Sequence, residues 1–502
     1  MTSVLLIYPF FRRSLDRSRF RFPPLGVAYV AASLREAGHD VRLLDCTFLR
    51  RDDALRQAVA ATEDVVGIYC MATMLEDCLA FAEAVRGHGR LLVAGGPLPT
   101  CDPDAFLTDF DVVVRGEGER TMCELLAARE AGADLGAVPG VVCGRSDGTQ
   151  ASGDLRVCDA ADACAPASAG LQASAAPGAS VRASSSPPAS PQTGDAGMQS
   201  ACACAPPRAF QGDLDRIPFP ARDLLPNAQY IRFGKRAYGH SITTVMSTRG
   251  CPFQCEFCSN VVFGSSYRER SAGNVIDEVE QVLRLGYERI SFADDVFTLN
   301  AARVTEICEE IARRRLRFGW ECLGRVDGFD RATAALMKQA GCFRVFFGIE
   351  SGNDGVLKLM NKRITTAQAR SAVRAAHAAG LEVGAFFILC YPGETDDTVL
   401  DTLRFASSLP LDYVGLTMPY PLPGTALFER VGDRISRQWR PQDSPLMNHV
   451  LTFDADFSAT KMRFAIVKGR VQFAIRRRMG RLAPAAFKLF EWPTDRLFRL
   501  LR

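Results

Sequence analysis

The chain has 502 residues, 47% of them apolar, so it can bury large cores, and its length suits roughly two to four domains. Its 60 basic and 57 acidic side chains leave a net charge of only +3, which gives no argument for nucleic acid, and no such partner is expected. No uncharged apolar run reaches the length of about 18 residues needed to span a membrane, and Val4-Leu5-Leu6-Ile7-Tyr8 is too short and lacks the basic stretch of a signal peptide. The 17 cysteines are scattered, which argues against a disulfide framework and for a reducing compartment, with the cytoplasm as the expected location.

Residues 1–145 alternate short apolar runs with helical patterns. Val4–Tyr8, Val41–Asp45, Val65–Tyr69, Leu91–Ala94 and Val112–Val114 read as five buried strands, and Pro24–Leu34 as a helix with proline near its start. The alternation predicts an α/β unit with a doubly wound, Rossmann-like parallel sheet. Such sheets bind ligands outside the carboxyl ends of their strands. Gly95-Gly96-Pro97 stands after the fourth strand and Gly116-Glu117-Gly118-Glu119 after the fifth. Glycine there lets the backbone approach a bulky ligand, although tight turns alone would also account for it. His39 and His88 lack the neighbours of a ligand motif and read as ordinary surface histidines.

Residues 146–208 break this pattern. From Ala165 to Pro207 nearly every residue is small or polar, a composition that cannot offset its own ordering entropy, so a disordered linker or insertion is expected. Cys158, Cys164, Cys202 and Cys204 are irregularly spaced in it and read as incidental thiols.

Residues 238–430 hold six strand-like runs: Ile242–Met246, Arg289–Phe292, Phe318–Leu323, Arg344–Ile349, Val383–Leu389 and Tyr413–Met418. Amphipathic helices such as Ala272–Leu285 and Ala302–Arg315 lie between them. Six βα units argue an incomplete barrel, whose active site would sit at the carboxyl ends of its strands. Directly after the first run come Cys251, Cys255 and Cys258, spaced C-x₃-C-x₂-C. Three thiolates can hold three irons of a cubane cluster and leave the fourth open for chemistry. A structural zinc site would need a fourth ligand, from His240 or from Cys202 and Cys204. Asp294 and Asp295 follow the second strand, as helix caps or as ligand contacts. Glu321 and Arg325 flank the third strand end, and Glu350-Ser351 follow the fourth, where a buried carboxylate needs partners. Cys390 follows the fifth strand, either as a hydrogen donor in the pocket or as a small buried filler.

The final stretch, residues 461–502, carries twelve Lys or Arg against Glu491 and Asp495. Apolar residues including Phe473, Phe487, Leu489, Trp492 and Phe498 interleave with these charges. Residues 431–502 therefore read as a basic helical extension, for which peripheral membrane contact and packing on the barrel are the two alternatives.

The segment Thr248-Arg249-Gly250-Cys251-Pro252-Phe253-Gln254-Cys255-Glu256-Phe257-Cys258 resembles the cluster loop of the radical S-adenosylmethionine (SAM) enzymes. The N-terminal unit, with Pro23-Pro24-Leu25-Gly26, Gly95-Gly96-Pro97 and Gly116-Glu117-Gly118-Glu119 before Thr121, looks like the cobalamin-binding domain fused to one large branch of that family. The proline-glycine-glutamate-threonine turn Pro392–Thr395 is a further family mark. The resemblance implies a partial (β/α)₆ barrel, a [4Fe-4S] cluster on the three cysteines, SAM and cobalamin. It assigns Phe257 to the nucleoside of SAM, Asp294 and Asp295 to its amino group and the substrate pocket, and Glu350 and Ser351 to its ribose and carboxylate. Leu25, Gly26, Gly95, Gly96, Gly116 and Glu117 are assigned to cobalamin. Two departures stand out: Cys390 occupies a position that is usually glycine, and the Asp-x-His-x-x-Gly motif of other cobalamin proteins is absent. The family further implies a small-molecule substrate and an electron donor of the flavodoxin or ferredoxin type. A C-methyltransferase acting on an unactivated carbon is the first functional expectation. An oxidative cyclase resembling the anaerobic magnesium-protoporphyrin ester cyclase, or a ring-rearranging enzyme, is the second. A metal-binding regulator without turnover is the third, and residues suited to a SAM pocket argue against it.

Overall fold

Alternate residues of the first strand point into two different cores. The computed structural model describes residues 1–10, 21–87, 89–143, 206–435, 453–479 and 484–501. In β1 (Ser3–Tyr8), Val4 and Leu6 pack with Val27, Ala31, Met122 and Leu125 of the helices Leu25–Glu36 and Gly118–Glu130. Leu5 and Ile7 face the other way, onto Ala54, Ala58, Cys78 and Phe81 of the helices Arg51–Val59 and Leu75–Val85. A strand buried on both faces reads as a continuous apolar run, which is what the sequence shows. The sheet continues through β2 (Asp40–Asp45), β3 (Val65–Tyr69), β4 (Leu91–Gly95), β5 (Val112–Val114) and β6 (Val141–Cys143), in the order β2-β1-β3-β4-β5-β6. The first five strands are parallel, as expected. The sixth runs antiparallel beside β5 and was not expected, because three residues carry too little pattern to read.

The second sheet orders β7 (Ile242–Val245), β10 (Arg289–Phe292), β11 (Gly319–Gly324), β12 (Cys342–Glu350), β13 (Glu382–Ile388) and β14 (Tyr413–Thr417), all parallel. Between β7 and β10 lies a short hairpin of β8 (Thr248–Arg249) and β9 (Arg268–Glu269). Among the described residues β14 does not pair with β7, so the barrel is open on one side. Its outer face buries Phe292, Trp320, Val345, Phe347 and Phe387 under the surrounding helices. Five of those helices begin on a side-chain cap, from Ser271, Asn300, Asp330, Thr365 and Thr395, which fixes where each leaves its loop.

Buried polar contacts join the two sheets. Tyr230, on the helix Asn227–Tyr238, donates to Asp45 Oδ2 at 2.6 Å, and its hydroxyl oxygen lies 3.0 Å from Thr47 Oγ1. Arg222 and Arg270 both pair with the buried Glu278, at 2.6 and 2.5 Å, and Arg270 reaches the Tyr29 hydroxyl at 3.4 Å. The helices Ala459–Met479 and Pro484–Leu500 pack on Asp396–Ser408 through Met462, Ile466 and Phe498. No described helix is long and apolar enough to cross a membrane. Of the segment 146–208, only 206–208 belong to the described residues; Cys158, Cys164, Cys202, Cys204 and His88 lie outside them. His39 departs from its surface reading: its side chain is only 7% exposed, and Nδ1 accepts from the Thr2 backbone N–H at 3.4 Å.

Candidate active site

Asp294, at the carboxyl end of β10, sets the path into the cluster loop. It is 1% exposed, and its Oδ1 accepts from the backbone N–H groups of Ser247 at 2.6 Å and Thr248 at 3.0 Å. The Ser247 hydroxyl bonds Oδ2. Burial pushes its carboxyl up, opposed by Arg303 and these hydrogen bonds. The Asp294 side chain is thus committed to the protein backbone. Gly250 follows at φ 83°, where an added Cβ would collide with the Ser266 carbonyl, so only glycine turns the chain toward Cys251.

The loop is then tied at several points. Cys251 N–H donates to the Gly264 carbonyl, Glu256 N–H to that of Met360, and Asn361 Nδ2 to that of Gln254, at 3.2, 3.1 and 2.6 Å. Cys258 is exposed, Cys251 and Cys255 half-buried. Although the residue is exposed, desolvation by the surrounding loop pushes the Cys258 thiol up to about 12, with Cys255, Cys251 and Asp295 adding to the rise. Thiols ligate metal as thiolates, and iron supplies the positive charge that keeps Cys251 and Cys258 ionised against these effects. No three described His, Cys, Asp or Glu side chains converge as ligands of a single ion. His240 precedes β7, at the end of that strand away from the loop, and is not available as a fourth ligand.

Around the loop, Asp295 is exposed, and its charge adds to the rise of the Cys251 and Cys258 thiols. Glu350 ends β12 at φ 71°, and its Oε1 meets Lys362 Nζ at 3.0 Å. A side chain held in the left-handed region signals a position fixed by its surroundings. Lys362 Nζ also lies 5.7 Å from the Phe257 ring centre, and the Phe257 ring meets Tyr391 edge-on at 6.5 Å. Lys362 was not anticipated; its sequence neighbours give no sign of it. Arg325 stacks 3.4 Å from the Phe253 ring centre and donates to the Lys362 carbonyl. Glu321 lies lower in the strand, paired with Arg344 at 3.1 Å. Ser351 is fully buried, its hydroxyl 3.0 Å from Thr402 Oγ1, so it ties the end of β12 to the helix Asp396–Ser408 that follows β13. Cys390 is 2% exposed at φ 62° within the apolar core, and burial pushes its thiol well up. That conformation accounts for glycine being usual there, and the burial favours the filler reading.

A cavity of about 270 Å³ opens at the carboxyl ends of β1, β3, β4 and β5. Gly26, Gly67, Gly95, Gly96, Gly116 and Gly118 form one wall. Gly96 has φ 109°, and a Cβ there would come within 2.7 Å of the Cys70 carbonyl. Leu25 is buried but outside that wall. The opposite wall comes from the barrel unit: Met246, Arg249, Val262 and Phe263. A glycine-rich wall facing the cluster loop lets a large flat cofactor approach the backbone, and no histidine lines the cavity. Glu117 borders the cavity, yet its carboxylate pairs with Arg249 at 3.1 Å and Arg268 at 2.8 Å and accepts from Gln211 N–H at 3.0 Å. Glu119 pairs with the same Arg249 at 2.6 Å. Arg249 and Arg268 are site residues that the sequence reading passed over, since pairing across some 130 positions leaves no local pattern.

The B12-binding-domain model matches residues 15–126, and the radical SAM superfamily model matches residues 245–406. An uncharacterized methyltransferase of Pyrococcus horikoshii is 32% identical over 416 residues, 81% of this chain and 78% of that protein. The anaerobic magnesium-protoporphyrin IX monomethyl ester cyclase of Rubrivivax gelatinosus is 27% identical over 86% of this chain and 70% of its own length. The radical SAM methyltransferase TsrM of Kitasatospora setae, solved with cobalamin and a [4Fe-4S] cluster, shares the fold with a TM-score of 0.64 at 19% identity, over 86% of this chain and 75% of that one. The chain belongs to the cobalamin-binding radical SAM enzymes. Its cofactors are a [4Fe-4S] cluster, SAM and cobalamin.

Proposed function

We propose that this enzyme is a C-methyltransferase acting on an unactivated carbon of a small biosynthetic intermediate. The supporting observation is the shared cavity: glycine-rich strand ends on one side, and on the other Arg249, Val262 and Phe263 from the cluster-loop region. When bound, the cofactors supply a deoxyadenosyl radical to take a hydrogen atom and a methyl group to replace it. Cys251, Cys255 and Cys258 hold the cluster. Asp295, Glu350 and Phe257 orient SAM, and Lys362 keeps the Glu350 carboxylate in place. The glycines at 26, 95, 96 and 116 would leave room for cobalamin, while Glu117 and Arg249 fix the distance between the two units. Alignment of this kind, with water excluded, is the protein's part in such a reaction.

The organisation read from the sequence is retained in this proposal: residues 1–145 bind cobalamin, 238–430 form the radical barrel, 146–208 connect them and 431–502 extend the barrel. A flavodoxin- or ferredoxin-type donor would dock where Cys258 is exposed. The extension would rest on a membrane surface through Leu489, Trp492 and Leu500, which are 78%, 69% and 70% exposed. Lys488 and Arg496 are exposed beside them, while Glu491 and Asp495 turn inward to Gln472 and Lys468. Bases outward and acids inward suit an anionic lipid face.

SAM labelled in its methyl group, given with the native substrate, tests the reaction. Label in the product, with S-adenosylhomocysteine and 5′-deoxyadenosine, is the expected outcome. Product with 5′-deoxyadenosine but without label transfer would instead favour the cyclase reading, which the Rubrivivax relative keeps in view.

A further inference from the structure

The hollow side of the barrel sheet is built in layers. Cross-strand register places Glu321, Arg344 and Glu382 side by side at the amino-terminal end. The next layer toward the cluster is Leu323, Phe346, Gly384 and Tyr413, and the one above it is Gly348, Phe386 and Gly415. In a closed barrel such layers are filled by branched side chains. Here they are not: Leu323, Phe386 and Tyr413 are 38%, 40% and 40% exposed, whereas Val345, Phe347 and Phe387 on the outer face are fully buried.

Glycines produce the opening. The Phe346 ring lies across Gly384 of the neighbouring strand, and the Phe386 ring lies across Gly415, where an added Cβ would come within 2.6 Å of it. The two rings are nearly parallel, 17° apart with centres at 5.5 Å, and the Tyr413 ring stands 6.3 Å from Phe346. They overlap like shingles and lie down on the sheet instead of filling the lumen. The shelf they make carries no charge. The charges come from the layer below and largely cancel: Arg344 pairs with Glu321 at 3.1 Å and Glu382 at 2.6 Å and lies against the undersides of the Tyr413 and Phe346 rings, 4.3 and 5.6 Å from their centres, while Arg289 lies over the Phe343 ring. Above the shelf stand Glu350 and Lys362, at the level of the cluster loop.

We propose that the substrate presents an uncharged aromatic or hydrocarbon portion to the shelf of Leu323, Phe346, Phe386 and Tyr413, and that the carbon to be modified lies on that portion. This rests on the reading of the barrel mouth as the place of reaction. An ionic group on the shelf would find no free counter-charge and would be desolvated against aromatic rings. A flat apolar group would instead cover rings that are otherwise wet.

The test uses the cofactor-loaded enzyme under anaerobic conditions and the uncharged fluorophore N-phenyl-1-naphthylamine, which brightens on leaving water. Saturable binding is expected. Phe386→Glu should weaken it about tenfold or more, because a carboxylate on the shelf opposes an apolar ligand. Phe386→Leu should keep it within about threefold, since apolar area is largely retained. Leu489→Ser, which removes an exposed leucine from the terminal helix, should not change it. Absorbance of cluster and cobalamin in the same samples reports folding. If Phe386→Glu loses its cofactors, Leu323→Gln on the same shelf serves instead and should weaken binding about threefold or more. No saturable binding, equal binding in wild type and the shelf variants, or loss confined to Leu489→Ser would overturn the proposal. Failure of methyl transfer in the labelled-SAM assay would leave these affinities unchanged, so the two readings fail separately.

Discussion

Arg249 reaches Glu117 at 3.1 Å across the seam between the two units, two residues before the first cluster cysteine. Both side chains are nearly dry, at 4% and 8% exposure, and the guanidinium also sits 5.1 Å from the Tyr29 and Phe263 ring centres. Without Arg249, Glu117 keeps Arg268 at 2.8 Å but the nearby Glu119 loses its partner, and stranding a charge in a buried pair costs about 3–5 kcal/mol. Arg249→Met should therefore release cobalamin during gel filtration. Glu117→Gln, which keeps a hydrogen-bond acceptor, should cost about 1–3 kcal/mol and release less. Equal cobalamin retention in both variants and wild type would show that the pair is not a clamp.

Changing Cys251, Cys255 and Cys258 together to Ala should remove the brown chromophore and all SAM cleavage. Reconstituted wild type should hold about four irons per chain. Iron and sulfide analysis checks both statements, and full iron content in the triple variant would remove the cluster from these residues.

Glu394 is buried at the Pro392–Thr395 turn, and burial pushes its carboxyl up to about 7. Its folded form holds a proton that the unfolded chain loses near the ordinary glutamate value. Stability from this group is therefore fully present below about pH 4 and is lost as pH rises to about 7, a change of about 3 kcal/mol. Glu394→Gln should flatten that slope and gain most over wild type at pH 8. Denaturant melts at pH 5 and pH 8 measure it, and parallel behaviour of the two proteins would refute the shift.

Cys390→Gly separates the two readings of that residue. Relief of the left-handed backbone favours glycine by about 1 kcal/mol, and lost burial of a small side chain offsets a similar amount. Product formation and stability should both stay near wild type. Cofactor-replete Cys390→Gly protein that cleaves SAM yet makes no product would restore the hydrogen-donor role.

The terminal helix predicts lipid preference. Wild type should sediment with anionic vesicles more than with neutral ones, and less as salt rises. Trp492→Ser combined with Leu489→Ser should weaken the interaction. Negligible sedimentation with both vesicle types would leave the helix a packing role only.

Most strands were readable from the chain because each is a short β-branched or aromatic run between turn residues, and the six barrel strands fall within two residues of expectation. The cysteine spacing and the glycine turns were equally local signals. What stayed hidden is what side chains do across distance. Asp294 and Ser351 stand at ligand-like positions, yet both spend their polar atoms on the protein itself. Arg249 and Lys362 matter through partners remote in sequence. The lumen shelf was invisible because Gly384 and Gly415 read as weak points of strands until the rings lying on them are seen.

The N–H of Gly140 donates to the Pro206 carbonyl at 3.0 Å, and Arg208 bonds Thr121 and Glu124 of the cobalamin unit. The chain therefore leaves β6 and returns to the same unit before it crosses to the barrel. Both flanks of that stretch are thus held on one unit, and the contacts that join the two units lie outside it. Closing a loop depends only weakly on how many residues it contains. Relatives could lengthen or discard this stretch freely in evolution, and an affinity handle or fluorescent reporter could be spliced into it with the catalytic geometry left intact.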